Sequence, residues 1–283
     1  MDEDRNAKNF CACEARNNTP GLFLPVVALI SAFLLIVALP VFTADAPEGR
    51  PEARMVPGEL KTMGNGVIWS WVGYDSGGTP AAIGVTFTES ALSGLPEKTP
   101  PGGHSIDYEL ELPKRAGVAP YNHIVVNWNP AGHVPPGVYD VPHFDFHFYM
   151  ITPEERNRIT VKKEDLARHA RKPPAKFVPA GYILPDGTQE PRMGSHWIDP
   201  EGPEFHNQPF RKTFIYGSYD GHVTFYEPMI SLAYLLENRT NAAEAIKLPA
   251  SYEKRGYYPV AYAVKYDAVR REYSVSLEGM TIR

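Results

Sequence analysis

The chain has 283 residues, of which 43% are hydrophobic and 12% aromatic, enough to bury the core of one large domain or two small ones. Its formal net charge is −5, and no basic stripe that would neutralise phosphates is present, which argues against a nucleic-acid-binding protein. The 28 prolines and 23 glycines predict many turns and long loops.

The N-terminal segment is predicted to direct the chain out of the cytoplasm. No charged residue occurs between Asn17 and Ala44, and the run LFLPVVALISAFLLIVALPVF is long enough to cross a bilayer. Ala44 and Ala46 then have the small-x-small spacing of a signal-peptidase site. We predict that residues 1–46 are either a cleaved signal peptide or an uncleaved membrane anchor. Both alternatives give an extracytoplasmic protein, periplasmic, secreted or anchored, whose membrane contact is limited to this segment.

The two cysteines, Cys11 and Cys13, both precede the apolar run, so the exported part has no disulfide to stabilise it. Its stability must come from its core, with a metal or oligomerisation as further support. Residues 47–64 are rich in proline, glutamate and arginine without periodicity and predict a linker. Residues 65–283 then form a single β-rich domain.

Strand patterns dominate this domain. Residues 67–72, 82–87, 106–112, 123–128 and 142–150 are rich in branched and aromatic residues or alternate strictly. Asp220-Gly221 predicts the turn of a hairpin over residues 213–228, and a second hairpin is predicted over 257–277. Short helices are predicted at 152–159, where Thr152 is the N-cap, and at 162–170 and 228–239. The fold class is therefore mainly β, with antiparallel sheets in a sandwich or barrel-like arrangement and a few short α-helices.

The stretch PHFDFHFYM, residues 142–150, places His143, Asp145, His147 and Tyr149 on one face of a strand and phenylalanines on the other. Two histidines around an aspartate indicate a metal site or a proton relay. Residues two apart on a strand lie roughly 7 Å from each other and residues four apart roughly 13 Å. A regular strand therefore supplies Asp145 and one histidine. A bent strand could supply both histidines, with Asp145 hydrogen-bonded behind them. The alternative is a polar surface face without a metal.

Glu227 and His196 are the further candidate ligands. The turn at Asp220-Gly221 predicts that Glu227 lies on an apolar face, where a carboxylate is costly unless it is paired or bound to a cation. The predicted cross-strand neighbours of that face are Phe214, Tyr216 and Ser218. Glu227 could instead cap the following helix. His196 could be a ligand or a packed loop histidine, and for His133 we favour loop anchoring over ligation. The other histidines, predicted to be structural or at the surface, are His104, His123, His169, His206 and His222.

Four segments together resemble a family of exported, mostly bacterial proteins of unassigned function. They are AAIGVTFTESALSGLP, HIVVNWNPAGHVPPGVYDVPHFDFHFYMI, MGSHW and YGSYDGHVTFYEPMIS, within roughly residues 65 to 240. The PHFDFHFY block is the specific part. The resemblance implies a β-rich domain, a zinc site and a homo-oligomer, but no agreed reaction. Carried over by motif, it implies His143 and His147 as zinc ligands, with His196 and Glu227 as further candidates.

Three functions are consistent with these patterns. The first is a non-catalytic metal-binding protein of the cell envelope, holding zinc or another divalent metal. The second is a metal-dependent hydrolase or lyase with three protein ligands, a metal-bound water, and Asp145 or Glu227 as base. The third is a structural oligomer without metal. An open coordination position in a pocket would favour the hydrolase or lyase. A closed site with four ligands would favour the non-catalytic metal-binding protein. Ligand side chains on different faces would favour the structural oligomer without metal.

Overall fold

A computed structural model of the chain describes residues 53–239 and 241–283. Within these residues the architecture is mainly antiparallel β with three short α-helices, which confirms the predicted fold class. The helices are α1 (Pro153–Arg156), α2 (Leu166–His169) and α3 (Leu232–Glu237). The strands are β1 (Arg54–Pro57), β2 (Lys61–Met63), β3 (Gly66–Tyr74), β4 (Pro80–Thr88), β5 (Ile106–Glu111), β6 (His123–Asn129), β7 (His143–Tyr149), β8 (Gln189–Glu190), β9 (Gly194–Trp197), β10 (Lys212–Tyr219), β11 (His222–Ser231), β12 (Ala242–Ala245), β13 (Tyr257–Tyr258), β14 (Ala261–Asp267), β15 (Glu272–Glu278) and β16 (Thr281–Ile282).

The strands of the described residues form two seven-stranded sheets and one small two-stranded ladder, β13 with β16. The first sheet has the order β1-β3-β4-β15-β14-β12, with β2 also pairing with β3. The second sheet has the order β5-β6-β7-β11-β10-β9-β8. The β7 strand therefore lies inside the second sheet, between β6 and β11.

The two sheets pack together through an aromatic core. The ring centroid of Phe87 on the first sheet lies 6.3 Å from that of Phe144 and 6.2 Å from that of Phe146 on β7. Phe214 and Tyr262 make a similar contact between the sheets, with centroids 5.5 Å apart. Each fully buried phenylalanine contributes roughly 1.5–3 kcal/mol through the hydrophobic effect. The phenylalanine face of β7 therefore lies in the core, as the alternation predicts, and its polar face lies on the far side of the second sheet.

Several boundaries differ from the sequence-based expectation. Where a linker is predicted over residues 47–64, β1 and β2 both pair with β3. The helix predicted over 228–239 begins only at Leu232, because residues up to Ser231 belong to β11 and the Ser231 hydroxyl caps the helix by accepting from the Tyr234 amide. The Thr152 cap is confirmed, and Glu155 completes the capping box.

No helix within residues 53–239 and 241–283 is long and apolar enough to cross a membrane. The predicted signal peptide or anchor of residues 1–46 lies outside the described residues, as do Cys11 and Cys13.

Candidate metal centre

The polar face of β7 is buried. The exposed fractions of His143, Asp145, His147 and Tyr149 are 0%, 3%, 0% and 0%. The alternative of a polar surface face is therefore wrong. Burying imidazoles and a carboxylate is costly unless partners satisfy them, so the neighbours of these side chains decide what the face can do.

Three of the predicted ligands form one cluster, which we call the β9 group: His147 on β7, His196 on β9 and Glu227 on β11. One ligand atom from each lies within 4.8 Å of the others. The Nε2 atom of His147 lies 3.4 Å from Oε1 of Glu227, and the Nε2 atom of His196 lies 3.7 Å from Oε2 of Glu227. Two imidazoles thus face one carboxylate, a ligand set known from catalytic zinc sites.

A second cluster, which we call the loop group, contains His133 from the β6–β7 loop together with His143 and Asp145 from β7. Its ligand atoms also lie within 4.8 Å of one another. The Nε2 atom of His143 lies 3.1 Å from Oδ1 of Asp145, and the Nε2 atom of His133 lies 3.6 Å from Oδ2 of Asp145.

Backbone carbonyl groups fix the orientation of three of these imidazoles. A carbonyl oxygen can only accept, so each ring donates from Nδ1 and keeps its Nε2 atom directed at a carboxylate. The distances from Nδ1 to the carbonyl oxygen are 2.8 Å from His133 to Val134, 2.7 Å from His143 to Val141 and 2.8 Å from His196 to Thr188. Metal-binding histidines are held by the same kind of hydrogen bond on their other nitrogen.

Several buried ligand atoms have no hydrogen-bond partner among the described residues: Nε2 of His143, Oδ1 of Asp145, both ring nitrogens of His147 and Oε2 of Glu227. Leaving a buried polar group unpaired costs roughly 1–3 kcal/mol. A cation bound within each group would satisfy most of these atoms, leaving only the second ring nitrogen of His147. The residues present therefore fit a metal.

The two groups differ electrostatically. In the β9 group, burial lowers the pKa of His196 to about 4 and that of His147 well below its usual range. Burial, with the nearby charge of Asp145, raises the pKa of Glu227 well above its usual range. In the loop group, burial raises the pKa of Asp145, but the charges of His143 and His133 outweigh this and hold it well below its usual value. The β9 group thus offers neutral imidazoles, the form that binds metals.

Both groups open onto one cavity of about 620 Å³, which is lined by His133, Asp145, His196 and Glu227. Methionine, isoleucine and proline side chains supply much of the remaining wall, and Asp186 and Glu190 lie in it as carboxylates outside both groups. Among the described residues that line this cavity there is no lysine or arginine. With four carboxyl groups, those of Asp145, Asp186, Glu190 and Glu227, the lining without a metal attracts cations more than anions.

Part of the chain is similar to a known protein family. Residues 75–128 match the model of a family described as TTHB210-like, hypothetical protein TTHB210. No curated protein and no solved structure matches the chain significantly. The matched segment covers β4, β5 and nearly all of β6, and it contains none of the six residues of the two groups. Because the family description names no function, this similarity does not indicate one for the chain.

The structure brings all five residues predicted from the sequence into the two groups, but it separates His143 from His147. The ladder between β6 and β7 runs in continuous register from end to end, so no bulge shortens the distance between these histidines. A regular strand places only Asp145 and one histidine together, as the strand geometry predicts. His133, for which the sequence favours loop anchoring, joins the loop group as a sixth candidate ligand, because nothing in a loop sequence shows which way the loop folds.

The predicted neighbours of Glu227 are wrong. Glu227 lies opposite Ile215, and Phe225 lies opposite Gly217, because the register of the β10–β11 hairpin shifts between Gly217 and Ser218. One extra residue, Thr224, forms a bulge there. Since side chains alternate along a strand, this shift moves Glu227 from the aromatic core face to the site face.

Proposed function

We propose that this protein is a divalent-metal-binding protein and that the β9 group holds the metal, with zinc as the first candidate. The observation that supports this proposal is the convergence of His147, His196 and Glu227 from three strands. His147 and Glu227 are fully buried, and each has ligand atoms without a partner among the described residues. Imidazole and carboxylate ligands without a thiolate suit zinc, and they also suit manganese, iron or copper.

The strands hold these ligands rigidly. In the second sheet β7 and β11 are neighbours, and β10 separates β11 from β9. The ring of Phe225 packs against both imidazoles, with centroid distances of 4.7 Å to His147 and 5.2 Å to His196. Ligands on packed strands keep their geometry without a metal, which favours tight binding because little must be ordered when the ion arrives.

The cavity favours a metal-dependent hydrolase or lyase as the second candidate. Three protein ligands leave one coordination position open, and a metal bound there would supply polarisation of a water or a carbonyl group. Asp145 and Glu227 both lie within the groups as ligand candidates. Of the two remaining carboxyl groups of the cavity, Asp186 is exposed, whereas burial raises the pKa of Glu190. Glu190 is therefore the carboxyl group suited to hold or release a proton.

The cellular setting of this proposal comes from the sequence. Residues 1–46 support export or anchoring at the cell envelope, and the family resemblance supports a homo-oligomer. The alternative of a structural oligomer without metal loses support from the unpaired buried ligand atoms, which a purely structural role does not explain.

The test is the zinc content of the full-length chain, purified in detergent because of its apolar N-terminal run. Wild type should retain zinc after dialysis, and His196→Ala should lose one equivalent relative to it. His104→Ala is the matched control, because His104 lines the same cavity outside both groups and should leave the count unchanged. Wild-type protein that holds no zinc after incubation with the ion would contradict the proposal.

The hydrolase alternative has its own readout. Zinc-loaded wild type should hydrolyse a neutral activated ester, whereas Glu190→Gln should keep its zinc and lose most of that activity. A zinc-loaded wild type without measurable activity on esters and amides would leave only the non-catalytic function.

A further inference from the structure

We infer that the loop group, His133, His143 and Asp145, is a second metal site, separate from the β9 group and facing the same cavity. It shares no residue with the β9 group, so it goes beyond the proposed function. With two imidazoles and one carboxylate, it would take the same class of divalent transition metals.

The first argument concerns the contact between His143 and Asp145. The Nδ1 atom of His143 donates to the Val141 carbonyl, so its Nε2 atom faces Oδ1 of Asp145 at 3.1 Å. Neither of these two facing atoms has a hydrogen-bond partner within residues 53–239 and 241–283. A lone pair on each would make the contact repulsive, so a proton or a cation must lie between them.

The second argument is the ratio of imidazoles to carboxylates. His133 directs its Nε2 atom at the same carboxylate, 3.6 Å from Oδ2 of Asp145. If a proton alone filled each gap between an imidazole Nε2 atom and the Asp145 carboxylate, two imidazolium ions would lie against one buried aspartate. A divalent cation bound by two neutral imidazoles and the carboxylate satisfies the same atoms without adjacent like charges.

The third argument is the support behind Asp145. The Nδ2 atom of Asn129 donates to Oδ2 of Asp145 at 2.7 Å, and Asn129 lies directly opposite His143 on β6. All three side chains of the group are thus oriented by a hydrogen bond from outside it: both imidazoles by carbonyl groups and the carboxylate by an amide. Such outer partners are characteristic of metal ligands.

The fourth argument separates this site from the β9 group. Asp145 and His147 are successive residues on one face of β7, so their Cα atoms lie roughly 7 Å apart. Two-metal centres of the bridged type hold their ions roughly 3.5–4 Å apart. Since no side chain belongs to both groups, the geometry indicates two mononuclear sites side by side in one cavity wall. His133 is the accessible ligand, with 34% of its side chain exposed, so an ion can enter here from the cavity.

The experiment counts zinc ions in the full-length chain. After chelation and dialysis, the protein is reloaded with zinc and bound metal is measured by elemental analysis. Because Cys11 and Cys13 could bind an ion of their own, counts are read as differences from wild type. The variants are His133→Ala for the loop group, His196→Ala for the β9 group, their double variant, and His104→Ala as control. Asp145→Asn, which keeps the side-chain volume, is included in case His133→Ala misfolds.

Two separate sites predict that His133→Ala and His196→Ala each lose one zinc, that the double variant loses two, and that His104→Ala loses none. Asp145→Asn should lose the same ion as His133→Ala. If His196→Ala loses one zinc while His133→Ala and Asp145→Asn lose none, the second site is overturned and the proposed function stands. A double variant that loses only the one ion that each single variant loses would also overturn it, because the two groups would then share one metal.

Discussion

At the scale of single residues, Tyr149 connects the site to a buried histidine outside both groups, His123. The ring of Tyr149 stacks between those of His123 and His147, with centroid distances of 4.8 Å and 5.5 Å. Neither ring nitrogen of His123 has a hydrogen-bond partner in the described residues. Burial, assisted by the charge of Arg156, therefore lowers the pKa of His123 to about 4.

This lowered pKa predicts a loss of stability in acid. A depressed folded-state pKa contributes stability that is fully present above the unfolded value, near 6.5, and is lost as the pH falls towards about 4. We expect wild type to lose about 3 kcal/mol of unfolding free energy over this interval through His123. In His123→Phe this part of the pH dependence should be absent, as measured by urea unfolding at a series of pH values. His206→Phe, at an exposed position, is the control, and an unchanged pH profile in His123→Phe would refute the assignment.

Residue types and their alternation were enough to predict five of the six ligand candidates. His143, Asp145 and His147 share one face because the strand period is two, and that follows from the sequence alone. His133 could not be assigned in this way, because its position depends on the fold of the β6–β7 loop. The division into two groups follows from strand geometry together with the partners that each strand meets.

At the scale of elements, the β10–β11 hairpin shows what a turn signal does and does not determine. Asp220-Gly221 correctly predicts the turn between β10 and β11. The bulge at Thr224 has no comparable signal, and it reverses the face on which Glu227 lies. It also sets Phe225 opposite Gly217, where a side chain on the glycine would meet the phenylalanine ring at 2.1 Å.

Gly217→Ala should therefore disturb both stability and metal binding. The added methyl group displaces Phe225, which packs against His147 and His196, and overpacking of this kind costs roughly 1–3 kcal/mol. We expect at least a tenfold weaker zinc affinity by titration. Gly84→Ala is the matched control, because Gly84 lies opposite Trp71 in the first sheet and its methyl group would meet that ring at 2.4 Å. It should lose similar stability but keep its zinc affinity; equal losses of affinity in both variants would show that Phe225 has no special role.

At the scale of the whole molecule, the candidate ligands come from distant parts of the chain, from His133 to Glu227, and meet only in the folded second sheet. The unfolded chain cannot present them together. A metal that binds the native state alone stabilises it by mass action, by roughly 2.7 kcal/mol at a free concentration one hundred times the dissociation constant.

Zinc should accordingly raise the midpoint of thermal unfolding, and a chelator should lower it again. Calorimetry of the wild type and of the double variant His133→Ala with His196→Ala checks this. The double variant should unfold at the same temperature with and without zinc. An unaffected wild type, or a variant that responds equally, would contradict the link between these residues and the stabilisation.

The pairing of strands is the part of the fold that the sequence leaves open. The hairpin of β14 and β15 is predicted, but β15 pairs with β4 across nearly two hundred residues of chain. Similarly, β1 and β2 lie in a stretch without periodicity, and only their partner β3 gives them strand structure. Such long-range pairings are decided by which buried faces match, information that local patterns do not contain.

The burial of β7 on both faces has a consequence for how this segment can change. Deleting or inserting one residue near its start would interchange the faces, sending His143, Asp145 and His147 towards the aromatic core and the phenylalanines into the cavity wall. The core and both candidate sites would be lost in a single event. A point substitution can alter either the core face or the site face of the strand alone, whereas a change in length alters both. The length of β7 must therefore stay fixed.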